Sequence, residues 1–597
     1  MVIRMVREFG GLTFRSIVLS IFLAVLFSFI NGYLGINFGM GFGFGAVAVA
    51  IAYAFFHKLG GGSNRRELSI VLIASSSSMA LYQTIGFIIY LMEKEGVVFP
   101  SWLAPSMNSI INRFIDFKSL IPPIIFFSIG TVVSCVGGLI FAYAFKDIFV
   151  SDRRMVWPHT AVVANLVDVC LRGGTHARIV GWSALIGFIV TFLQYLPLFW
   201  GYDFTTINLT PILPYGMIMA LSLNLSFLTI GYIINADVSL SLMLSGMITY
   251  LILSPILASR GVFKPSIDPM VSYNSLLFAF SISPSLGILL LGGGLLSLLV
   301  FVRGFKSRGN VKSDDGRIGY LQLYKILLYF LLRNKRFLTV FLATFSSSLV
   351  MAWVLNPLAP LPPYVFTIFV AYMFLLGGFI ECITMARMSG ETGMSMGMMG
   401  ILLYDLPMFS FGYRDYPAYL TSGFFKPVSG IIEGTVSYYK YADKFDVSWS
   451  DIIKAKIIGW IPTFISSIIL VLVLWIYLGF GTPLMPAISF IQLKAYYSML
   501  VSGNISAVID PVTFICGGIL GALLELFTPI SMFGVAMGML LPPHYIIPMG
   551  IGGLIRWYTD RRFGKEFFRD KGSMVATGIM ATSIITQVLM SIITKIF

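Results

Sequence analysis

Residues 452–479 read IIKAKIIGWIPTFISSIILVLVLWIYLG, and beyond Lys456 no charged residue interrupts them. About 20 apolar residues in a helix cross the roughly 30 Å hydrocarbon core of a bilayer, so this run is long enough to span. In hydrocarbon every backbone N–H and C=O must be bonded within the segment, a condition a helix meets and a lone strand does not. Comparable runs recur at 16–34, 41–57, 68–92, 121–145, 178–200, 236–258, 284–302, 337–355, 363–386 and 573–596. Less regular ones, broken by Gly, Pro or a charge, lie at 157–171, 217–235, 391–411, 508–527, 529–541 and 542–558. The ten-residue alternation of an outer-membrane barrel is absent. The expectation is an all-α polytopic membrane protein of 14–16 transmembrane helices, some of them broken or re-entrant.

Composition points the same way. Of 597 residues, 57% are hydrophobic and 11% charged, against about 25% charged in soluble domains. A water-soluble enzyme and a disordered chain are both excluded. The formal net charge of +14 does not signal nucleic acid, because the basic residues gather in short loops rather than in a basic domain. Nine Lys or Arg fall between Arg303 and Arg336, and a second group holds Arg556, Arg561, Arg562, Lys565, Arg569 and Lys571. The positive-inside rule puts both, with Arg4, Arg7 and Arg15, on the cytoplasmic side of a multi-pass plasma-membrane protein. The first apolar run, 16–34, reads as a retained helix and not a cleaved signal. Cys135, Cys170, Cys382 and Cys516 show no CxxC spacing, so neither a zinc site nor a disulfide framework is expected.

One long polar stretch, RGFKSRGNVKSDDGRIGY at 303–320, lies near the midpoint. It divides the chain into a transmembrane half 1–302, a basic cytoplasmic linker 303–336 and a second half 337–597. Residues 321–337 mix Leu, Ile, Tyr and Phe with Lys and Arg, which suits a helix on an anionic membrane surface or a loop. Ala177-Arg178-Ile179-Val180-Gly181-Trp182 recurs as Ala455-Lys456-Ile457-Ile458-Gly459-Trp460, 278 residues later and across the linker. Such duplication is usual in secondary transporters, whose substrate sits near the midplane between repeats.

Nucleotide-driven and zinc-hydrolase motifs are missing: there is no GxxxxGK[ST] or HExxH, and the four His are scattered. The informative segment is Gly377 to Pro407, GGFIECITMARMSGETGMSMGMMGILLYDLP. A charge at a helix centre costs about 2.5–3.5 kcal/mol on insertion scales, yet Glu381, Arg387 and Glu391 occur here. They suit a substrate or proton site; a helix-end salt bridge is the plainer alternative. Gly390, Gly393, Gly397 and Gly400 allow close approach or a broken helix lining a cavity. Met394, Met396, Met398 and Met399 read as adaptable packing rather than a soft-metal site, so no metal or other cofactor is expected. Glu525 and Asp168 stand alone in apolar runs, either as further coupling candidates or as helix-end carboxylates facing water, and Asp237 suits a helix start. Tyr438, with Tyr439 and Lys440, suits a peptide-like substrate or an interfacial aromatic belt.

Four stretches, in order, resemble the oligopeptide transporter family, which includes the yellow-stripe-like metal-chelate transporters. They are GLTFRSIVLSIFLAVLFSFINGYLGINFGM at 11–40, Val156-Trp157-Pro158, LSFLTIGYIINADVSLSLMLSGMITYLILSP ending at Pro255, and LLPPHYIIPMGIGGLIRWYTDRRFGKE at 540–566. The chain departs from the eukaryotic peptide branch: it lacks that branch's Asn-Pro-Gly motif, and Ile432 to Tyr439 keeps little of the family's block there. It looks nearer the prokaryotic and yellow-stripe-like branch. The resemblance implies proton-coupled import of small peptides or peptide-like metal chelates, with metal entering only as part of a chelate and a homodimer allowed. A midplane cavity lined by 389–405, 217–237 and 508–530 would hold the substrate, Arg387 meeting its carboxylate and a Glu the proton or amine. The alternatives are a secondary transporter of an unrelated solute on the same architecture, or a passive channel, for which no filter-like stretch is visible.

Overall fold

Helices form where the apolar runs place them. The computed structural model describes residues 12–38, 44–58, 62, 64–77, 81–114, 116–152, 155–172, 174–200, 206–222, 225–292, 320–355, 362–393, 400–482, 485, 487–503 and 509–596. The structure is 83% helical. Among the described residues eight helical stretches are long and apolar enough to cross a membrane: Phe14–Tyr33, Phe117–Ser151, Arg178–Tyr195, Ala236–Ser259, Pro269–Leu291, Lys335–Trp353, Pro363–Thr392 and Trp449–Tyr477. Gly45–Lys58, Pro158–Leu171 and Pro511–Phe527 are shorter apolar helices. The chain is an all-α polytopic membrane protein.

The Trp449–Tyr477 helix shows why. Ile457, Ile461, Ile465, Ile469 and Val473, spaced by four, are 40–60% exposed, while Gly459, Thr463, Ser466 and Ser467 are buried. A soluble helix turns its apolar stripe inward; here an apolar stripe faces out, and the buried face combines these small and hydroxyl residues with Trp460, Leu470, Val471, Leu474 and Trp475, as suits a lipid-exposed helix. The buried hydroxyls are bonded, Thr463 Oγ1 donating to the Gly459 carbonyl at 2.8 Å and Ser467 Oγ to Phe464 at 2.8 Å. The helix starts on a capping box: Asp451 N donates to Ser448 Oγ at 3.2 Å and Ser448 N to Asp451 Oδ2 at 2.9 Å. Ser448→Ala is expected to cost about 1 kcal/mol, read as a lowered unfolding midpoint of the detergent-solubilised protein; an unchanged midpoint contradicts it.

Several expected spans differ in detail. The run 68–92 is two helices, Arg65–Ser75 and Leu81–Glu95. Before the break Ser75, Ser76 and Ser77 turn their hydroxyls back onto the carbonyls of Leu72 and Ile73, competing with the helix ladder. The run 284–302 is helical to Gly292, and its remainder lies outside the described residues, as does linker 303–319. Tyr320–Arg333 is a helix, not a loop. Asp237 sits in the first turn of Ala236–Met247, where the helix dipole favours an acid, but Asn235 occupies the cap position. A short antiparallel pair, Thr206–Asn208 with Ala220–Ser222 in register Thr206↔Ser222, interrupts the helices.

The helices gather into two compact units. The first comprises Met1–Tyr143, Leu331–Cys382 and Gly400–Ile505; the second comprises Ala144–Phe330, Ile383–Met399 and Ser506–Phe597. Each unit draws on both sequence halves. In the first, Phe14–Phe38, Arg65–Ser75 and Trp449–Tyr477 pack on one another. In the second, Gly174–Tyr195 lies along Ser573–Ile596, and Leu225–Ile233 along Pro543–Phe563. The last pair meets at Gly231 and Gly552: a Cβ on Gly231 would overlap the Met549 carbonyl oxygen, and one on Gly552 the Leu228 carbonyl oxygen. Small residues let helix backbones approach this closely where no hydrophobic effect drives them together.

Candidate functional site

Glu381, Arg387 and Glu391 descend from one local feature, the long helical stretch from Pro363. After Pro363–Tyr372 the helix widens into a π-turn at Met373–Gly377 and resumes as Gly378–Thr392. Such bulges are frequent at functional sites. Of the two roles the glycines allow, Gly390 does not break the helix, which runs through it and stops only at Gly393, whose φ of +77° favours glycine. Glu381 and Arg387, six residues apart, lie on different faces, whereas Arg387 and Glu391 share one. The helix changes unit after Cys382, so these residues work in separate surroundings.

In the first unit Glu381, only 5% exposed, is the centre of a charge group. Its Oε2 accepts from Lys426 Nζ at 2.5 Å and from Tyr404 OH at 2.7 Å. The Lys426 ammonium also lies 3.8 Å over the Tyr404 ring, a cation–π contact that gains strength when desolvated. Asp405, next in the chain to Tyr404, is buried too and accepts from Tyr496 OH at 2.7 Å. Sequence alone does not pick out Lys426, Asp405 or Tyr496. The available signal was an ionisable residue between aromatic or apolar neighbours, as in Gly423-Phe424-Phe425-Lys426 and Leu402-Leu403-Tyr404-Asp405.

Tyr438 belongs to another corner of the same unit. Its hydroxyl meets Ser76 Oγ at 2.5 Å, and its ring lies 5.6 Å from Lys456 Nζ. Lys456, 4% exposed, is also 5.7 Å from the Trp460 ring. Gly400 lies beside Tyr404, where a Cβ would stand 3.8 Å from Cδ2.

In the second unit Arg387 is 9% exposed and lies 5.6 Å over the Phe533 ring. Among the described residues no carboxylate comes within 4.0 Å of its guanidinium, and Glu381 is paired with Lys426. Glu391, 2% exposed, accepts from Ser531 Oγ at 3.5 Å. Behind them the Trp-Pro segment closes on the glycines. Trp157, itself at φ +51°, donates its backbone N–H to the Gly390 carbonyl at 2.9 Å. A Cβ on Gly390 would stand 2.6 Å from Met155 Cε, and one on Gly393 2.9 Å from Pro158 Cγ. Close approach therefore accounts for these two glycines. Glu525 is buried on Pro511–Phe527 and Asp168 half-buried on Pro158–Arg172; neither is among the groups around Arg387 or Glu381 described above. Gly397 and Met394 to Met399 lie outside the described residues.

A family model described as OPT oligopeptide transporter protein matches residues 11–594, nearly the whole chain. The chain belongs to the oligopeptide transporter family. It is thus a multi-pass membrane transporter, of a family that moves peptide-like substrates across membranes. No curated protein matches the chain. Within the transporter the motifs that carry the resemblance are structural partners: the Trp-Pro segment packs on Gly390 and Gly393, and the Gly552-Gly553 segment packs on Leu225–Ile233.

Proposed function

We propose that this transporter is a secondary, proton-coupled importer of small oligopeptides or peptide-like metal chelates, working by alternating access. The observation that carries the reading is Arg387: a guanidinium nine-tenths buried within the Pro363–Thr392 span, resting on Phe533, with no carboxylate at ion-pair distance among the described residues. A buried cation is retained where it gains a counter-charge, and a peptide C-terminus or a carboxylate-rich chelate supplies one in the fork geometry that Arg matches. Glu391, on the same helix face, is placed for the substrate amine. The acidic group around Glu381 in the first unit is suited to hold a proton.

The loop bias of Lys and Arg supports a plasma-membrane orientation with the N-terminus and 303–336 in the cytoplasm. The repeat at 177–182 and 455–460 supports two duplicated halves on either side of that linker.

Acid-driven uptake of labelled di- to hexapeptides into proteoliposomes tests the reading. Arg387→Ala is expected to lose at least about 30-fold in uptake of free-acid peptides, since truncating one partner of a buried charge pair costs about 2–5 kcal/mol. The wild type is expected to discriminate against C-terminal amides, and the variant not to. Equal uptake by both proteins, with the amide transported as well as the acid, would remove Arg387 from the substrate site.

A further inference from the structure

We infer that Asp405 is the residue that loads and releases the coupled proton. The inference rests on the proton-coupled reading above and assigns its proton to one side chain. Ile401–Asp405 is a π-turn that leads into Leu406–Ser410, and it carries the Asp405 carboxyl, 6% exposed, into the first unit. Among the described residues its one hydrogen-bond donor is Tyr496 OH, 2.7 Å from Oδ2. The ionisable groups facing it are Tyr496 and Tyr497 from Ile488–Val501, Tyr419 from Tyr416–Thr421, Lys426, and Glu381 from Gly378–Thr392. Lys494, on the Tyr496 helix, is engaged by Glu95, and Arg414 donates to the Phe409 and Tyr413 carbonyls.

Charge arithmetic decides which state is stable. Among the described residues Lys426 is the cation of this group, and Glu381 already holds it in a direct ion pair, with Tyr404 OH on the same carboxylate oxygen. Two ionised acids and one ammonium would leave a net charge of −1 in a buried site, and burying an uncompensated charge costs several kcal/mol. One proton on Asp405 makes the group neutral and leaves the Glu381–Lys426 pair intact. In the closed group Asp405 is therefore a carboxylic acid. When water reaches it the acid ionises, the proton passes to solvent and the carboxylate keeps the Tyr496 bond. Loading on the acidic side and release on the other is the cycle a symporter needs, with one proton moved per visit of Asp405 to each side.

Two measurements test this. In proteoliposomes under an inside-alkaline gradient, the ratio of peptide accumulation to peptide exchange is expected to fall at least ten-fold in Asp405→Asn, because exchange needs no net proton release; Asp405→Glu restores it. In infrared spectra of the purified full-length protein, the C=O band of a buried protonated carboxyl is expected at neutral pH in the wild type and lost in Asp405→Asn. An acid-driven wild type with an equally acid-driven Asp405→Asn, or a carboxyl band that survives the substitution, overturns the assignment and leaves proton coupling standing. A wild type whose uptake ignores the gradient overturns both. If Asp405→Asn loses exchange as well, Tyr496→Phe decides. Removing a donor that favours the ionised acid should move the pH of half-maximal uptake upward, and an unmoved midpoint counts against Asp405.

Discussion

Replacing Glu381 with alanine is expected to destabilise the protein by about 3–5 kcal/mol, because the Lys426 ammonium then loses the carboxylate that pairs with it directly in a buried site. Both side chains are shielded, at 7% and 12% exposed, so solvent screening does little to soften the loss. Glu381→Ala combined with Lys426→Ala should recover much of it, since a site emptied of both charges has no unpaired ion to desolvate. A double-mutant cycle on unfolding in detergent gives the coupling directly, and about 2 kcal/mol or more is expected. Additive losses would show that the 2.5 Å pair contributes nothing beyond its separate halves. Tyr404→Phe, which removes one donor to a charged acceptor, should cost less, about 1.5–3 kcal/mol.

The second large effect lies where helices cross. Gly231→Val and Gly552→Val are each expected to prevent the second unit from assembling, because the new Cβ must occupy the position of a backbone carbonyl oxygen on the facing helix. Backbone in a helix cannot swing aside as a side-chain tip can, so the expected cost exceeds about 4 kcal/mol, the range of severe overpacking and lost packing. Gel filtration of the solubilised variants should show little monodisperse protein. Gly181→Ala is the control: nothing lies within 4 Å of a Cβ there, and alanine is the better helix former by about 1 kcal/mol. Folded Gly231→Val in normal yield would mean that the two helices do not cross where described.

The internal repeat marks the boundary of what local sequence can tell. Ala177 to Trp182 and Ala455 to Trp460 are nearly the same text, and both start apolar helices. Yet Arg178 is exposed and Lys456 is 4% exposed beside Tyr438 and Trp460. Gly181 faces open space, whereas a Cβ on Gly459 would overlap the Ala74 carbonyl oxygen. The words are alike because helix formation and apolar length are properties of neighbouring residues. The surroundings differ because they are made by segments hundreds of positions away.

The candidate site divides in the same manner. That Glu381, Arg387 and Glu391 are costly in an apolar run was legible, as was the family, because charge within a span and motif order are read along the chain. That Glu381 belongs to Lys426, 45 positions on, and that Arg387 is left without a carboxylate at ion-pair distance among the described residues, was not. Hydrophobic length and turn residues act locally, so sequence by itself determined the helical class, the approximate spans and the shortage of charge from which the site was sought. Ion-pair choice and backbone approach depend on which helix faces which, so tertiary structure alone decided that Asp405 stands beside an already paired lysine, and that Gly231 and Gly552 must be glycine.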